Sequence, residues 1–577
     1  MVRRLAAFLR PYRLWVAAVL VLSFTQAMSS LYLPNLMSDI VDHGVLRGDT
    51  AYILRIGLWM FAVTLAGGLA AVGASFGAAR VMAAFARDLR RRVFGHVERF
   101  SVGEFDRLGT SSLIVRTTND VMQVQQLVNM SMRMLVMAPL TAVGGIVLAV
   151  RTDARLSLLI VVALPVMALT IYVAMGRGLG LFRAIQGKVD RLNRVLRENL
   201  TGVRVIRAFA QAAREQQRFR QTNADVTQTS IAVFQLMAVT MPAIMLIMNL
   251  TTVGIVWFGA QQIGGGTLQI GQLMAFIQYV TQIMFSVMMV SMLLFLLPRG
   301  EASAQRILEV LDQVPLITDP QQPSASPLTE AGRIEFDHVS FQYPGAAEPA
   351  LHDLSFRVEP GQTIAILGGT GAGKTTLLEL VLRLHDCTEG AVRVGGVDVR
   401  HLPQAELRKH IAYVPQQTVL FAGTIADNVR YGHPEASDEE VRRALALAQA
   451  TEFVDALPQG IHSPLEQGGQ SLSGGQRQRL AIARALVRPA SIYLFDDSFS
   501  ALDYRTESRL RAALRTALRS ATVVVVAQRV STVRDADRIL VLDDGHLVGS
   551  GTHRELLQTC AVYREIVASQ ALPEEVA

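Results

Sequence analysis

Cysteine is nearly absent: 577 residues contain two, Cys387 and Cys560. That scarcity excludes a disulfide framework and a cysteine-based metal site. Both thiols read as reduced, buried or incidental groups of a cytosolic domain. No cleavable leader is apparent either. Arg3, Arg4 and Arg10 precede an apolar stretch too long for a signal h-region, without an obvious small-residue cleavage site. The first apolar stretch is therefore expected to be retained. Nucleic acid is excluded as a partner despite the net charge of +7, because the basic residues cluster between hydrophobic runs, as membrane topology demands.

What the chain has in quantity is apolar surface. At 51% hydrophobic residues it is too long and too apolar for one soluble domain. Six apolar runs occupy roughly 14–36, 56–78, 130–150, 156–176, 236–261 and 270–297. Each approaches the ~20 residues a helix needs to cross hydrocarbon, and helices are the form lipid permits. The connections at 79–129 and 177–235 are long and arginine-rich, whereas those at 151–155 and 262–269 are short. Basic loops are expected on the cytoplasmic side, which places both termini there. Leu192, Val195, Leu196, Asn199, Leu200 and Val203 keep helical periodicity, so the spans are expected to continue into the cytosol. Pro34, Pro139, Pro165 and Pro242 fall inside the runs and read as kinks. Residues 1–12 read as a short amphipathic helix on the inner surface.

Around 313–332 the composition shifts to Pro, Gln and Ser, marking a linker with Pro315, Pro320, Pro323 and Pro327. Beyond it, β-type runs such as 363–367, 492–495 and 522–526 alternate with helical ones. That is the pattern of an α/β domain with a buried, largely parallel sheet. The expected fold is thus a membrane α-helical bundle of six spans with long cytosolic extensions, joined to an α/β P-loop nucleotide-binding domain.

Gly368-Gly369-Thr370-Gly371-Ala372-Gly373-Lys374-Thr375 matches G-x-x-x-x-G-K-[ST], leaving a predicted strand and entering a predicted helix at Thr376. Glycines let backbone N–H groups curl around phosphate oxygens, helped by the positive end of the helix. Lys374 would neutralise the outer phosphates of ATP, and the Thr375 hydroxyl would hold Mg²⁺. The 492–495 strand ends in Asp496, placed to reach Mg²⁺ through water.

With those motifs, the chain resembles a half-transporter of the ABC superfamily, of the exporter type that fuses six membrane helices to one nucleotide-binding domain. The resemblance implies an interfacial helix at 1–12, a transmembrane domain at 13–312, a linker at 313–332, a nucleotide-binding domain at 333–570 and a tail at 571–577. Gln416 resembles the Q-loop glutamine, which touches Mg²⁺. Tyr343 resembles the aromatic platform under adenine; an indifferent surface tyrosine is the alternative. Leu472-Ser473-Gly474-Gly475-Gln476 resembles the signature motif, and the run ending in Asp503 the D-loop. In this family each ATP lies between the phosphate loop of one domain and the signature of the other.

Two positions depart from the pattern. Asp497 stands where the resemblance implies a catalytic glutamate, and Gln528 where it implies a switch histidine. A carboxylate one methylene shorter is withdrawn by roughly 1 Å, a misplacement worth on the order of 10²-fold. Glutamine can donate a hydrogen bond but cannot become a cation or relay a proton. Both departures act on the ATP held by this chain's own loop, while the signature offered to the other chain is unaltered. The expectation is therefore a heterodimer whose partner supplies the glutamate and histidine. It would export hydrophobic or amphipathic compounds from a bacterial cell membrane, with ATP and Mg²⁺ as cofactors. A homodimer with slow ATPase, an importer of exporter-like fold and a non-transporting regulatory subunit remain alternatives.

Cargo residues are less legible. The sixth run carries Met274, Phe276, Met284, Phe285, Met288, Met289, Met292 and Phe295, with Gln278 and Gln282 among them. These suit a cavity for amphiphiles or ordinary helix packing. Arg133 is either a cavity residue or snorkels to the interface. Asp39 and Asp42 are either part of an outer gate or solvated loop charges.

Overall fold

The computed structural model describes residues 7–322, 330 and 332–570, with 294 and 295 described by backbone alone. The outermost linker prolines Pro323 and Pro327, the tail at 571–577 and the side chain of Phe295 lie outside the described residues. The chain divides into two compact units, Met1–Glu98 with Thr110–Gln313 and Arg99–Gly109 with Val314–Ala577.

In the first unit, six helical stretches among the described residues are long and apolar enough to span a bilayer. Their principal helices are α1 (Arg13–Asp39), α2 (Thr50–Val97), α4 (Val121–Thr152), α5 (Ser157–Thr201), α7 (Ala212–Gly264) and α8 (Ile270–Asp312). Between them in sequence lie the short α3 (Val102–Leu108), which groups with the second unit, and α6 (Val203–Ala208). The 53 residues of α7 rise about 80 Å, far beyond a hydrocarbon core of about 30 Å. The spans thus run well past any bilayer they cross.

Small residues set their packing. A Cβ at Gly77 would stand 2.8 Å from Val19, and one at Gly67 would stand 2.5 Å from Ser29, so α1 lies close on α2. Gly145 meets Ile283 in the same way where α4 packs on α8. Close backbone approach is how helices associate where no hydrophobic force separates lipid from side chain. Helices α5 and α7 pair with each other and leave Leu158, Val161, Leu169, Phe234, Leu250 and Trp257 exposed.

The structure bears on three expectations. Over the described Ala7–Tyr12, the N-terminal segment is a six-residue 3-10 helix. Its aromatic residues dock it on α2: Tyr12 donates to Asp88, and Phe8 sits edge-on to Phe85 at 6.5 Å. The four prolines lie inside continuous helices, and π-helical turns occur at Ile40–Val45 and Arg116–Asp120. Asp42 is not a solvated loop charge. It is 6% exposed, and its carboxylate accepts from the N–H groups of Gly271 (2.6 Å) and Gln272 (3.1 Å) in the first turn of α8.

The second unit holds the sheets. Strands β1 (Ile334–Phe341), β2 (Leu351–Val358), β4 (Glu389–Val394) and β5 (Val397–Asp398) form an antiparallel sheet in the order β2-β1-β4-β5. Strands β3 (Thr363–Gly368), β6 (Ile411–Val414), β9 (Ile492–Asp496), β10 (Thr522–Val526), β11 (Arg538–Asp543) and β12 (His546–Gly551) form the larger sheet, ordered β12-β11-β3-β10-β9-β6. A two-residue ladder joins β7 (Gly423–Thr424) to β8 (Pro464–Leu465). In the larger sheet every pair but β11–β12 is parallel. Its central strands are near-continuous apolar runs, as burial on both faces requires. The parallel strands β3, β9 and β10 therefore end on one edge, where α/β sheets bind ligands. Both cysteines are free thiols in this unit.

Candidate functional site

At that edge β3 gives way to a loop, Gly369 to Gly373, and then to α9 (Lys374–Val381). Gly371 and Gly373 have φ of 87° and 86°, in the left-handed region. A Cβ on Gly373 would also stand 2.7 Å from the Ala350 carbonyl, so this turn admits only glycine. Lys374, the first residue of α9, is 8% exposed and its ammonium donates to the carbonyls of Gly368 (2.9 Å) and Gly369. Burial holds its pKa below the ordinary lysine value, against the pull of Asp497 and Asp496. An anion cradled by the loop would meet this charge and the N-terminus of α9 together.

Thr375 and Asp496 are brought together: the threonine hydroxyl donates to Asp496 Oδ1 at 3.1 Å. Asp496 is 1% exposed at the end of β9, and its other oxygen accepts from Tyr413 on β6 at 3.4 Å. Burial raises the Asp496 carboxyl above the usual range, while the bonds from Thr375 and Tyr413 lower it. A hydroxyl beside a desolvated carboxylate is a hard-oxygen donor set of the kind Mg²⁺ takes.

The next residue, Asp497, has φ of 44°. Aspartate tolerates that left-handed conformation better than longer side chains do. Its N–H donates to the Val526 carbonyl at 3.0 Å, tying it to the end of β10. Gln528, two residues beyond that strand, donates from Nε2 to Asp497 Oδ2 at 3.2 Å. Burial raises the Asp497 carboxyl; Lys374 and a hydrogen bond from Gln416 lower it. Lys374, Thr375, Gln416, Asp496, Asp497 and Gln528 thus share one polar cluster.

Tyr343, just after β1, joins the same region: its hydroxyl lies 2.9 Å from Thr376 Oγ1 and donates to Glu379 at 3.3 Å. The remaining motif residues stand apart. Ser473 caps α10 (Gly474–Leu486) in a reciprocal box with Gln476, and Leu472 is buried beneath it. Ser473 and Gly474 are exposed. A Cβ on Gly475 would stand 3.1 Å from the Ala501 carbonyl, which seats this turn against the stretch leading to Asp503. Asp503 caps α11 (Tyr504–Ala517), and the Thr506 N–H it accepts at 2.9 Å holds its carboxyl below the usual range. Among the described residues, no hydrogen bond joins Leu472–Gln476 to the phosphate loop.

Residues 15–287 match the family described as ABC transporter transmembrane region, and residues 351–500 match the one described as ABC transporter. An uncharacterized ABC transporter ATP-binding protein of Mycobacterium tuberculosis is 43% identical over 98% of this chain and 97% of its own. The chain belongs to the ABC transporter family. An ATP-dependent lipid A-core flippase of Nitrosococcus oceani is 32% identical over 96% of this chain and 93% of its own. A solved bacterial Atm1-family ABC exporter with ATP bound superposes with a TM-score of 0.81 at 27% identity, covering 97% of this chain and 98% of that one. As an ABC exporter half, the chain carries six membrane helices and an ATPase domain coupled to transport.

Some residues of this ABC domain's site carried no signal in the sequence. Tyr413 reaches Asp496 only because β6 pairs beside β9, and Glu379 and His385 meet Tyr343 only through the fold.

Proposed function

We propose that this chain is the degenerate-site half of a heterodimeric ABC exporter that moves hydrophobic or amphipathic compounds, lipids among them, across a cell membrane. The observation that carries the reading is the Asp497–Gln528 pair, a short carboxylate held by an uncharged amide, beside an intact capped signature at Ser473. Loss of a positioned general base costs roughly 10²–10⁴-fold. A homodimer would hold two such weakened sites and gain nothing from a complete signature.

In this reading Gly368 to Thr376 bind the ATP phosphates, and Tyr343 stacks on the base. Thr375, Asp496 and Gln416 hold Mg²⁺, which when bound neutralises charge on the phosphates. Hydrolysis at this chain's own site is slow, and Leu472–Gln476 completes the competent site on the partner. ATP at the weak site keeps the nucleotide domains near one another. Turnover at the other opens and closes them, and alternating access follows. The segment at Gly202–Phe209 supports the coupling: Val205 and Phe209 are 61% and 71% exposed, free to dock on a nucleotide domain near Gln416. Phe209→Ala is expected to uncouple cargo-stimulated ATPase. Both termini lie in the cytoplasm.

Lipid-like cargo is supported by two relatives. One is the N. oceani flippase, and the other is a fatty acid ABC transporter of Mycobacterium bovis, 36% identical over 83% of this chain and 75% of its own. A stripe of α8 fits such cargo. Phe276 and Met284 are core residues, but Met274, Gln278, Phe285 and Met292 share one exposed face.

Affinity isolation of the tagged chain from its own cells tests the proposal. A second, similar half in equal amount, with Glu and His at the two positions, is expected. Isolation as a lone homodimer that hydrolyses ATP briskly would sink it.

A further inference from the structure

Tyr343 is held from three sides. Its hydroxyl bonds Thr376 at 2.9 Å and Glu379 at 3.3 Å, both on α9, the helix that begins with Lys374. Two rings stand perpendicular to its own: Phe341 at 4.8 Å and 80°, and His385 at 5.4 Å and 81°. His385 is 8% exposed, and its Nε2 lies 3.6 Å from the Glu379 oxygen that accepts from Tyr343. That distance is too long for a hydrogen bond. Burial drives the Glu379 carboxyl up and the His385 imidazole down, each toward its neutral form.

We infer that Glu379 and His385 are positioning residues for nucleotide base recognition. By anchoring the hydroxyl and fixing the plane of Tyr343, they tie the base platform to the helix that binds the phosphates. This rests on the reading of Tyr343 as the platform under the base. An ordinary packing cluster would support the fold of the β1–α9 junction and nothing more. An anchored platform adds affinity only for ligands that possess a base.

The experiment separates these. The full complex is used, with the partner's phosphate loop disabled by substitution of its lysine, and trinitrophenyl-ATP is displaced by ATP or by inorganic tripolyphosphate. The ratio of the two affinities isolates the contribution of the nucleoside. Losing one hydrogen-bonded anchor is expected to weaken ATP about three- to tenfold in Glu379→Ala and Tyr343→Phe, with tripolyphosphate unchanged. His385→Ala should move in the same direction, and Glu379→Gln, which keeps an acceptor, should restore most of the affinity. No loss, or equal loss for both competitors, overturns the inference. Tyr343→Ala keeps the two levels distinct. If it leaves the ratio unchanged, the platform reading itself fails. If it lowers the ratio while Glu379→Ala and Tyr343→Phe do not, only the positioning role fails.

Discussion

Gln528 and Asp497 are bound to each other, amide Nε2 to carboxylate Oδ2 at 3.2 Å. The amide occupies one of the two carboxylate oxygens and brings no charge of its own. Restoring the longer base and the imidazole together, Asp497→Glu with Gln528→His, is expected to raise turnover at this site on the order of 10²-fold. ATPase of the complex with the partner's phosphate loop disabled measures it. An unchanged rate with nucleotide binding intact would show that these residues do not limit the site. Glutamate at φ 44° also costs about 1 kcal/mol that aspartate partly avoids, so a lower melting temperature should accompany the gain.

The division of labour predicts unequal damage from two substitutions in this one chain. Ser473→Ala removes the cap of α10, worth about 1 kcal/mol, and the hydroxyl that the proposed arrangement offers to the partner's ATP. Lys374→Ala disables only this chain's own loop. Steady-state ATPase of the assembled pair should fall at least about tenfold with Ser473→Ala, and by less with Lys374→Ala. The reverse order would contradict the assignment of hydrolysis to the partner's site.

The six spans were legible because lipid allows one solution to a run of about 20 apolar residues, and the parallel sheet because its strands are apolar throughout. The phosphate loop was legible because glycine at 371 and 373 answers a backbone demand. Tertiary contacts were not. Asp42 is separated from Gly271 by 229 positions, and nothing local distinguishes a carboxylate that caps a distant helix from a loop charge. The docking of the N-terminal segment was illegible for the same reason. Nothing local to Phe8 and Tyr12 announces that Phe85 and Asp88 stand opposite them.

Acidification should weaken Mg²⁺-dependent nucleotide binding earlier than an ordinary carboxylate predicts. Asp496 has its pKa raised above 3.8 by burial, so its proton returns at a higher pH than usual, and the protonated group cannot serve the metal. Affinity is thus full above the raised pKa and is lost as pH falls through it. The Tyr413 hydrogen bond favours the ionised form, so Tyr413→Phe should shift the midpoint upward without removing a metal donor. Titration of MgATP binding between about pH 2.5 and about pH 8 reads the shift. A midpoint at or below 3.8 in the unmodified protein would refute it.

Asp42 and Gly271 form one joint between α1's end and α8. The carboxylate accepts two N–H groups that α8 cannot satisfy within itself, and Ser38 donates to the same carboxylate at 3.1 Å. Asp42→Ala strands those buried donors and should cost about 1–3 kcal/mol. Gly271→Ala attacks the joint from the other side, since its Cβ would stand 2.4 Å from the Ser38 carbonyl and 2.6 Å from the Asp42 carboxylate. Either substitution opens the same contact, so the double variant should lose less than the sum of the two, with a coupling of about 0.5 kcal/mol or more. Thermal unfolding of the nanodisc-embedded protein supplies the four corners of the cycle. Strict additivity would mean that Asp42 and the start of α8 are held independently, and the buried carboxylate would then need another role.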